Sequence, residues 1–280
     1  MNTDPVDADA FNAFEAAGWE EHAAAYVRHL TVFTRPLIDP LLDAAGVDVG
    51  TRVLDVASGP GHVAAAAAAR GAVPIGVDIA ASMVALAGAS YPNLVFRRGD
   101  AQRLPVEDTS VDAVVGNFAI PHLGRPELAA AEFARVLVPG GRVALTTWNV
   151  PASARHVGLV VDAVAAVGAA PPPPSRLPPG PSFFRFADEP EFAGLLSGAG
   201  FRDVVVQTVD FRQRVSSATE HWEAILAGSI RIGTLVTAQP KRVQAKIRAE
   251  YDGLAAEYQL ADGSLELPVS VKLASGVRPR

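Results

Sequence analysis

From Thr51 to Trp148 the chain alternates short apolar runs with helical stretches, joined by connections of only a few residues. This alternation limits the fold more than any other feature of the sequence. Arg52 to Val56 reads as a strand and His62 to Arg70 as a helix stopped by Gly71. Val73 to Val77 is a second strand, and Ala80 to Ser90 a helix with Pro92 just past its end. Leu94 to Arg97 is a third strand and Val111 to Val115 a fourth. Pro126 to Leu137 is a helix that opens on a favoured first-turn proline. Pro139-Gly140-Gly141 then reads as a turn into a fifth strand, Val143 to Thr147. Apolar strands of this length separated by helices require right-handed crossovers, hence an α/β fold whose parallel sheet is covered on both faces.

The flanks are less regular. Ala10 to Leu30 reads as an amphipathic helix, with Phe11, Phe14, Trp19 and Tyr26 along it. Prolines crowd residues 171 to 181 and predict a stiff, extended connection. Beyond it, Glu189 to Ser197, Ala218 to Ala227 and Lys241 to Tyr258 read as helices. Asp203 to Val209, continuing towards Val215, and Leu265 to Leu273 read as strands. Trp19 and Trp222 are expected to pack, and the basic run Lys241, Arg242, Lys246 and Arg248 to form a solvated helix face.

Composition removes several functions. The chain has no cysteine among its 280 residues, which excludes disulfides, thiolate metal sites and cysteine nucleophiles. With 24 Lys+Arg against 30 Asp+Glu, its net charge of −6 disfavours nucleic-acid binding by phosphate neutralisation. The 49% apolar content invites a membrane reading, but the most apolar stretches, Val63 to Ala69 and Leu159 to Ala170, fall short. Neither reaches the roughly 18–20 apolar residues that a spanning helix needs. Met1 to Ala10 carries three aspartates and no basic residue, unlike a signal peptide. The expectation is a soluble cytoplasmic protein with no membrane partner.

The first strand concentrates the chemistry. It runs Val53-Leu54-Asp55-Val56-Ala57-Ser58-Gly59-Pro60-Gly61, an acid at a strand end followed by a glycine turn that opens a helix. Glycines let a ligand approach the backbone, and a helix start offers free N–H groups and partial positive charge. Asp78, at the end of the second strand, is placed to accept hydrogen bonds from both hydroxyls of a ribose. Asp100, after the third strand, can take an adenine amino hydrogen. All three stand at the carboxyl edge of the sheet, where such folds bind ligands. Gly59-x-Gly61-x-x-Ala64 also satisfies the dinucleotide fingerprint, so a nicotinamide-dependent oxidoreductase is the rival, and a catalytically silent protein on the same scaffold is a third reading.

These segments resemble the class I S-adenosylmethionine-dependent methyltransferases, in the small-molecule branch of ubiquinone/menaquinone-biosynthesis and natural-product enzymes. The likeness rests on Val53 to Gly61, Val77-Asp78, Arg98 to Pro105, Val111 to Val114 and Glu132 to Gly141, in matching order and spacing. It implies a Rossmann-like, seven-stranded, mostly parallel sheet with helices on both faces, an antiparallel last strand and a helical lid. It further implies that Asp55, Ala57, Gly59 and Gly61 surround the methionine moiety of S-adenosylmethionine. Asp78 would hold the ribose, Ile79 and Met83 would pack beside the adenosine, and Asp100 with Ala101 would read the adenine. Asn117 and Phe118 would lie by the methionine end, and Tyr26 would match a tyrosine on the family's lid helix. His122 stands where many relatives have a histidine after the fourth strand, although Pro121 replaces the second histidine that often precedes it.

The implied layout is lid helices over 1–45, a cofactor core over 46–150, a variable acceptor region over 151–260 and a closing strand over 261–280. Methyl transfer to a small, apolar or aromatic acceptor would leave S-adenosylhomocysteine and need no metal. Phe183-Phe184 would suit a lid over such an acceptor. A base is required only if the nucleophile carries a proton, and the candidates are His122, His156, His221 and Glu223. Whether oxygen, nitrogen or carbon is methylated is left open, as is homo-oligomerisation.

Overall fold

The computed structural model describes residues 7–280; the first six residues of the expected lid segment lie outside them. Three helices come first: α1 (Ala8–His29), α2 (Thr31–Thr34) and α3 (Ile38–Ala44). The alternating region gives β1 (Arg52–Val56), α4 (His62–Ala69), β2 (Val73–Asp78), α5 (Ala81–Ser90), β3 (Val95–Arg98), β4 (Val111–Gly116), α6 (Pro126–Val136) and β5 (Leu137–Trp148). After it come α7 (Arg155–Ala166), α8 (Glu189–Gly198), β6 (Arg202–Val215), α9 (Ala218–Gly228), α10 (Ile230–Thr237), α11 (Lys241–Ala256) and β7 (Leu265–Val277).

The seven strands form one sheet in the order β3-β2-β1-β4-β5-β7-β6. The first five strands pair in parallel, and β7 runs antiparallel to both β5 and β6. Burial explains the central pairing. Val53, Leu54 and Val56 of β1, and Ala113, Val114 and Val115 of β4, are almost wholly inaccessible. Such runs are stable only where helices cover both faces. One face packs Leu54, Val114 and Leu145 with Phe133 of α6 and Phe192 of α8. The other packs Val53, Val115 and Ala144 with Leu41 and Leu42 of α3 and Val63 of α4. Along β6, one of the two edge strands, exposed and half-buried residues alternate, and Arg212 and Arg214 add charge to the edge.

A separate cluster forms the lid. Helices α7, α9, α10 and α11 bury Leu159, Ile225, Ile232 and Tyr251 against Leu265 to Val271 of β7. Among the described residues no helix is long and apolar enough to cross a membrane.

Three expectations change. Pro139-Gly140-Gly141 does not turn the chain; it lies inside β5 as an irregularity, where the register on β4 steps from Val111↔Leu137 to Ala113↔Arg142. Gly140 adopts φ +84, which its lack of a Cβ permits, and its N–H still donates to the Arg278 carbonyl at 2.9 Å. Helices α7 and α10 were not expected; α10 is built largely of Ile, Thr, Val and Gly, weak helix formers, whereas α7 carries an apolar stripe that the sequence reading passed over. On α1 the buried residues are Ala8, Phe11, Glu15 and Ala23, while Phe14 is only half-buried. A carboxylate therefore sits where an amphipathic pattern expects an apolar side chain.

Candidate active site

Strand order reverses between β1 and β4, and the crevice beyond their carboxyl ends is where open α/β sheets bind ligands. A cleft partly open to solvent occupies that place. The glycine turn leaves β1 through Ala57 at φ +52 and reaches α4 through Gly61 at φ +85. A Cβ at Gly61 would stand 2.7 Å from the Phe96 ring, so position and conformation both require glycine. At Gly59 nothing lies within 4 Å of where a Cβ would project. The turn thus presents open backbone to the cleft.

Three acids stand at or just past the carboxyl ends of β1, β2 and β3. Asp55 is 1% exposed and accepts a hydrogen bond from the Ala64 N–H at 3.0 Å, which ties it to the first turn of α4. Burial pushes its carboxyl up to about 8, against that hydrogen bond and with a smaller push from Asp78. Asp78 accepts from the Gly59 N–H at 2.8 Å and the Ala80 N–H at 2.9 Å. Burial raises its pKa, while these N–H groups and the neighbouring His122 oppose the rise. Asp100 accepts from the Gln102 N–H at 2.8 Å and holds the loop beside Ala101. At the end of β4, Phe118 adopts φ +61 and stacks on Trp148 at 3.8 Å. Its N–H donates to Thr146 Oγ1, which in turn donates to Asn117 Oδ1. Two non-glycine residues with positive φ, Ala57 and Phe118, therefore flank the cleft, the kind of strain that clusters at functional sites.

Helix α1 crosses above this edge. Its Glu20 carboxylate accepts the Ser82 N–H at the start of α5, and Asn12 donates to Gln102 and accepts from the Gly124 N–H. Trp19 meets Tyr26 edge-on at 5.4 Å and His122 at 4.9 Å. Tyr26 reaches Thr34 Oγ1 at 3.2 Å, and burial raises its pKa. Met83 packs with Ala23 and Ala80 under Trp19 and Tyr26.

The expected site residues sort clearly. Tyr26, Asp55, Ala57, Gly59, Asp78, Ile79, Met83, Asp100, Ala101, Asn117, Phe118, His122 and His156 all line the cleft. Gly61 stands behind it as the first residue of the α4 cap. Of the remaining base candidates, His221 is buried behind the wall, with Nδ1 2.8 Å from the Tyr251 hydroxyl. Glu223 lies on the exposed face of α9, away from the cleft. His156 is 2% exposed, stacks on Phe33 at 4.7 Å and has no partner for either ring nitrogen. Burial holds its pKa well below the usual histidine value, so it sits in the wall as a neutral imidazole.

Sequence reasoning missed Glu15, Phe33, Ser58 and Trp148, and placed Trp19 in packing although it lines the cleft. Ser58 lay within the glycine-turn motif and could have been singled out there. The others come to the cleft from distant segments through tertiary packing, and no local pattern marks them.

The site suits the cofactor that the motifs imply. Ser58 Oγ is buried without a partner beside two buried carboxylates and open backbone. A ligand bringing hydroxyl donors and positive charge would satisfy all three. Residues 54–145 match the family described as "Methyltransferase domain". A demethylmenaquinone methyltransferase of Beutenbergia cavernae is 38% identical over 110 residues, which are 39% of this chain and 46% of that one. A ubiquinone/menaquinone biosynthesis C-methyltransferase, UbiE, of Rubrivivax gelatinosus is 32% identical over 166 residues, 57% of this chain and 66% of that one. The chain thus spans about half the length of the first of these relatives. The YcgJ protein of Bacillus subtilis superposes with a TM-score of 0.58 at 20% identity, over 88% of this chain and 99% of that one. Geometry, motif order and these similarities agree that residues 54–145 are a class I S-adenosylmethionine-dependent methyltransferase domain.

Proposed function

We propose that the protein transfers the methyl group of S-adenosylmethionine to a small, apolar or aromatic metabolite, without a metal. The observation that carries this reading is the row of Asp55, Asp78 and Asp100 around an open glycine turn within the methyltransferase domain. In it, Asp78 binds the ribose hydroxyls, Asp100 and Ala101 take the adenine edge, and Ile79 and Met83 pack on the adenosine. Asp55, Ala57, Gly59, Ser58 and Asn117 surround the methionine end. When bound, S-adenosylmethionine supplies an electrophilic methyl group; the chain's part is to align the acceptor and exclude water.

The acceptor side is the wall of Phe33, Phe118, Trp148, His156 and Phe183, which suits a flat ring. The curated relatives named for demethylmenaquinone and for ubiquinone/menaquinone biosynthesis support an acceptor of that general type. In this layout residues 46–150 form the cofactor core and residues 151–260, with α1, form the acceptor chamber. Residues 261–280 complete the sheet. The setting we assign is the cytoplasm.

Thermal-shift measurements with S-adenosylmethionine, S-adenosylhomocysteine, NADH and NADPH test the reading. The two sulfur compounds are expected to raise Tm and the nicotinamides to leave it unchanged. Asp78→Ala should weaken cofactor binding at least about tenfold, because a buried acceptor of two hydroxyl hydrogen bonds is lost. Stabilisation by NADH alone points instead to the oxidoreductase. Cofactor binding with no turnover of any acceptor points to a silent scaffold.

A further inference from the structure

His122 is the one base candidate that both lines the cleft and keeps a ring nitrogen available to it. Its Nδ1 lies 2.9 Å from Glu15 Oε2, across 107 residues of sequence. Its Nε2 is neither hydrogen-bonded within the protein nor buried, so it is left to the cleft. The ring stands between the two halves of the site, edge-on to Trp19 at 4.9 Å and to Phe183 at 5.9 Å. Phe183 belongs to the acceptor wall, whereas Trp19 covers the cofactor half beside Met83.

Glu15 is an unusual residue to bury. It is 3% exposed, and Oε1 has no hydrogen-bond partner. Its nearest cation besides His122 is Arg231, with Nε at 3.9 Å. Arg231 is itself fixed. It donates to the Pro121 and Pro181 carbonyls at 3.1 and 2.7 Å, and its guanidinium lies over the Phe11 and Phe183 rings. A buried carboxylate is costly unless paired, and here Arg231 offsets its charge without taking over its hydrogen bond to the histidine. That leaves Oε2 free to orient the imidazole.

We propose that Glu15 is a positioning residue that fixes His122 with its proton on Nδ1 and its lone pair on Nε2, making His122 the base for an acceptor bearing a hydroxyl group. The inference rests on the methyltransferase reading and narrows its acceptor to phenol-like or enol-like molecules. In the step, the acceptor O–H gives its proton to His122 Nε2. The oxygen pair forms the new O–CH3 bond as the C–S bond breaks, and the sulfur keeps that pair and loses its positive charge. The imidazolium faces the Glu15 carboxylate until its proton passes to solvent. This is the logic of a histidine base held by a buried carboxylate, in which an amide substitute costs activity by favouring the wrong tautomer.

The test uses the full chain labelled with 15N-histidine and saturated with S-adenosylhomocysteine. The His122 resonances are those missing from His122→Gln. In the native protein His122 is expected as the single Nδ1–H tautomer; in Glu15→Gln that preference is lost although S-adenosylhomocysteine still saturates the site. Turnover is read with 2-naphthol, catechol and aniline. The phenols should be methylated by the native protein, and kcat should fall by about 10²-fold or more in Glu15→Gln, the range of general-base contributions. Failure of S-adenosylhomocysteine to bind the native protein overturns the methyltransferase reading itself. Binding with the same tautomer in both proteins overturns the role of Glu15 alone. Methylation of aniline only, or of none of the three, overturns the hydroxyl acceptor.

Discussion

At the scale of single residues, the site is organised by carboxylates that the fold has stripped of water. With its carboxyl pushed to about 8, Asp55 is largely protonated near neutral pH in the ligand-free protein. Its folded pKa lies above the ordinary 3.8, so the folded state holds more protons between those values, and this group's stabilising contribution fades as pH rises from 4 to 8. A ligand carrying sulfonium and ammonium charge reverses the preference by favouring the carboxylate. Binding of S-adenosylmethionine at pH 7 is therefore expected to release protons. Calorimetric titrations in phosphate and in Tris, whose ionisation enthalpies differ, would show it as a buffer-dependent heat. Asp55→Asn should remove most of that difference; equal proton release by the variant assigns the proton elsewhere. Asp55, Asp78 and Asp100 were legible in the sequence because each stands at or just past the end of a short strand, so position along the chain alone places them on one edge. Glu15 and Phe33 were not. They enter the cleft from α1 and α2, and only the packing of those helices over the sheet brings them there.

At the scale of elements, the parallel core is legible because its signals are local: apolar runs, helix stops and glycine turns fall in strict alternation. Of the lid helices, α9 and α11 were legible too, but how the lid helices meet is set by contacts distant in the sequence. Helices α7, α9 and α11 meet around His156, His221 and Tyr251, with Phe33 between the two imidazoles. Burial lowers both histidines, His221 to about 4. Their folded pKa values lie below the ordinary 6.5, so the unfolded chain takes up protons first, and stability is lost as pH falls from 6.5 towards 4. Tyr251, Phe33 and Trp148 pack against these rings and the His156 backbone borders His221, and none of them supplies a counter-charge. Replacing His156 with Phe should flatten the dependence of Tm on pH in that window and raise Tm at pH 7, since two orphaned nitrogens disappear. An unchanged slope would mean that other groups govern acid unfolding. The β5 irregularity makes a second, purely conformational case. Gly140→Ala meets no close atom, only Arg280 at 3.8 Å, yet φ +84 remains. It should cost about 1 kcal/mol, read as a lower urea midpoint with an unchanged m-value.

At the scale of the whole molecule, α1 behaves as a strap across the open edge of the sheet. It is fastened at one lip by Asn12 to Gln102 and Gly124 and by the Asp9–Arg125 ion pair. It is fastened at the other by Glu20 to Ser82, and midway by Glu15 to His122. Its dry packing is limited. Ala8, Phe11, Glu15 and Ala23 are its buried residues, Trp19 and Tyr26 pack half-buried around Met83, and its ends are held by exposed or half-buried polar contacts. An element held this way opens locally at low cost, whereas β1 and β4 open only with the whole domain. A ligand lying under the strap and touching Trp19 and Tyr26 binds the closed form alone, so it must slow the opening of α1. With S-adenosylhomocysteine at a hundred times its Kd, the linked stabilisation is about 2.7 kcal/mol, which slows exchange of α1 amides by about 10²-fold. Backbone amides of α4 beside the glycine turn should be protected in parallel, and those of the remote outer strand β6 should change little. Hydrogen exchange followed by mass spectrometry resolves the three segments in one experiment. Protection of the α4 turn with α1 unchanged would show that the cofactor binds beneath a strap it does not need, and would move the acceptor chamber wholly onto the lid formed by α7, α9 and α10.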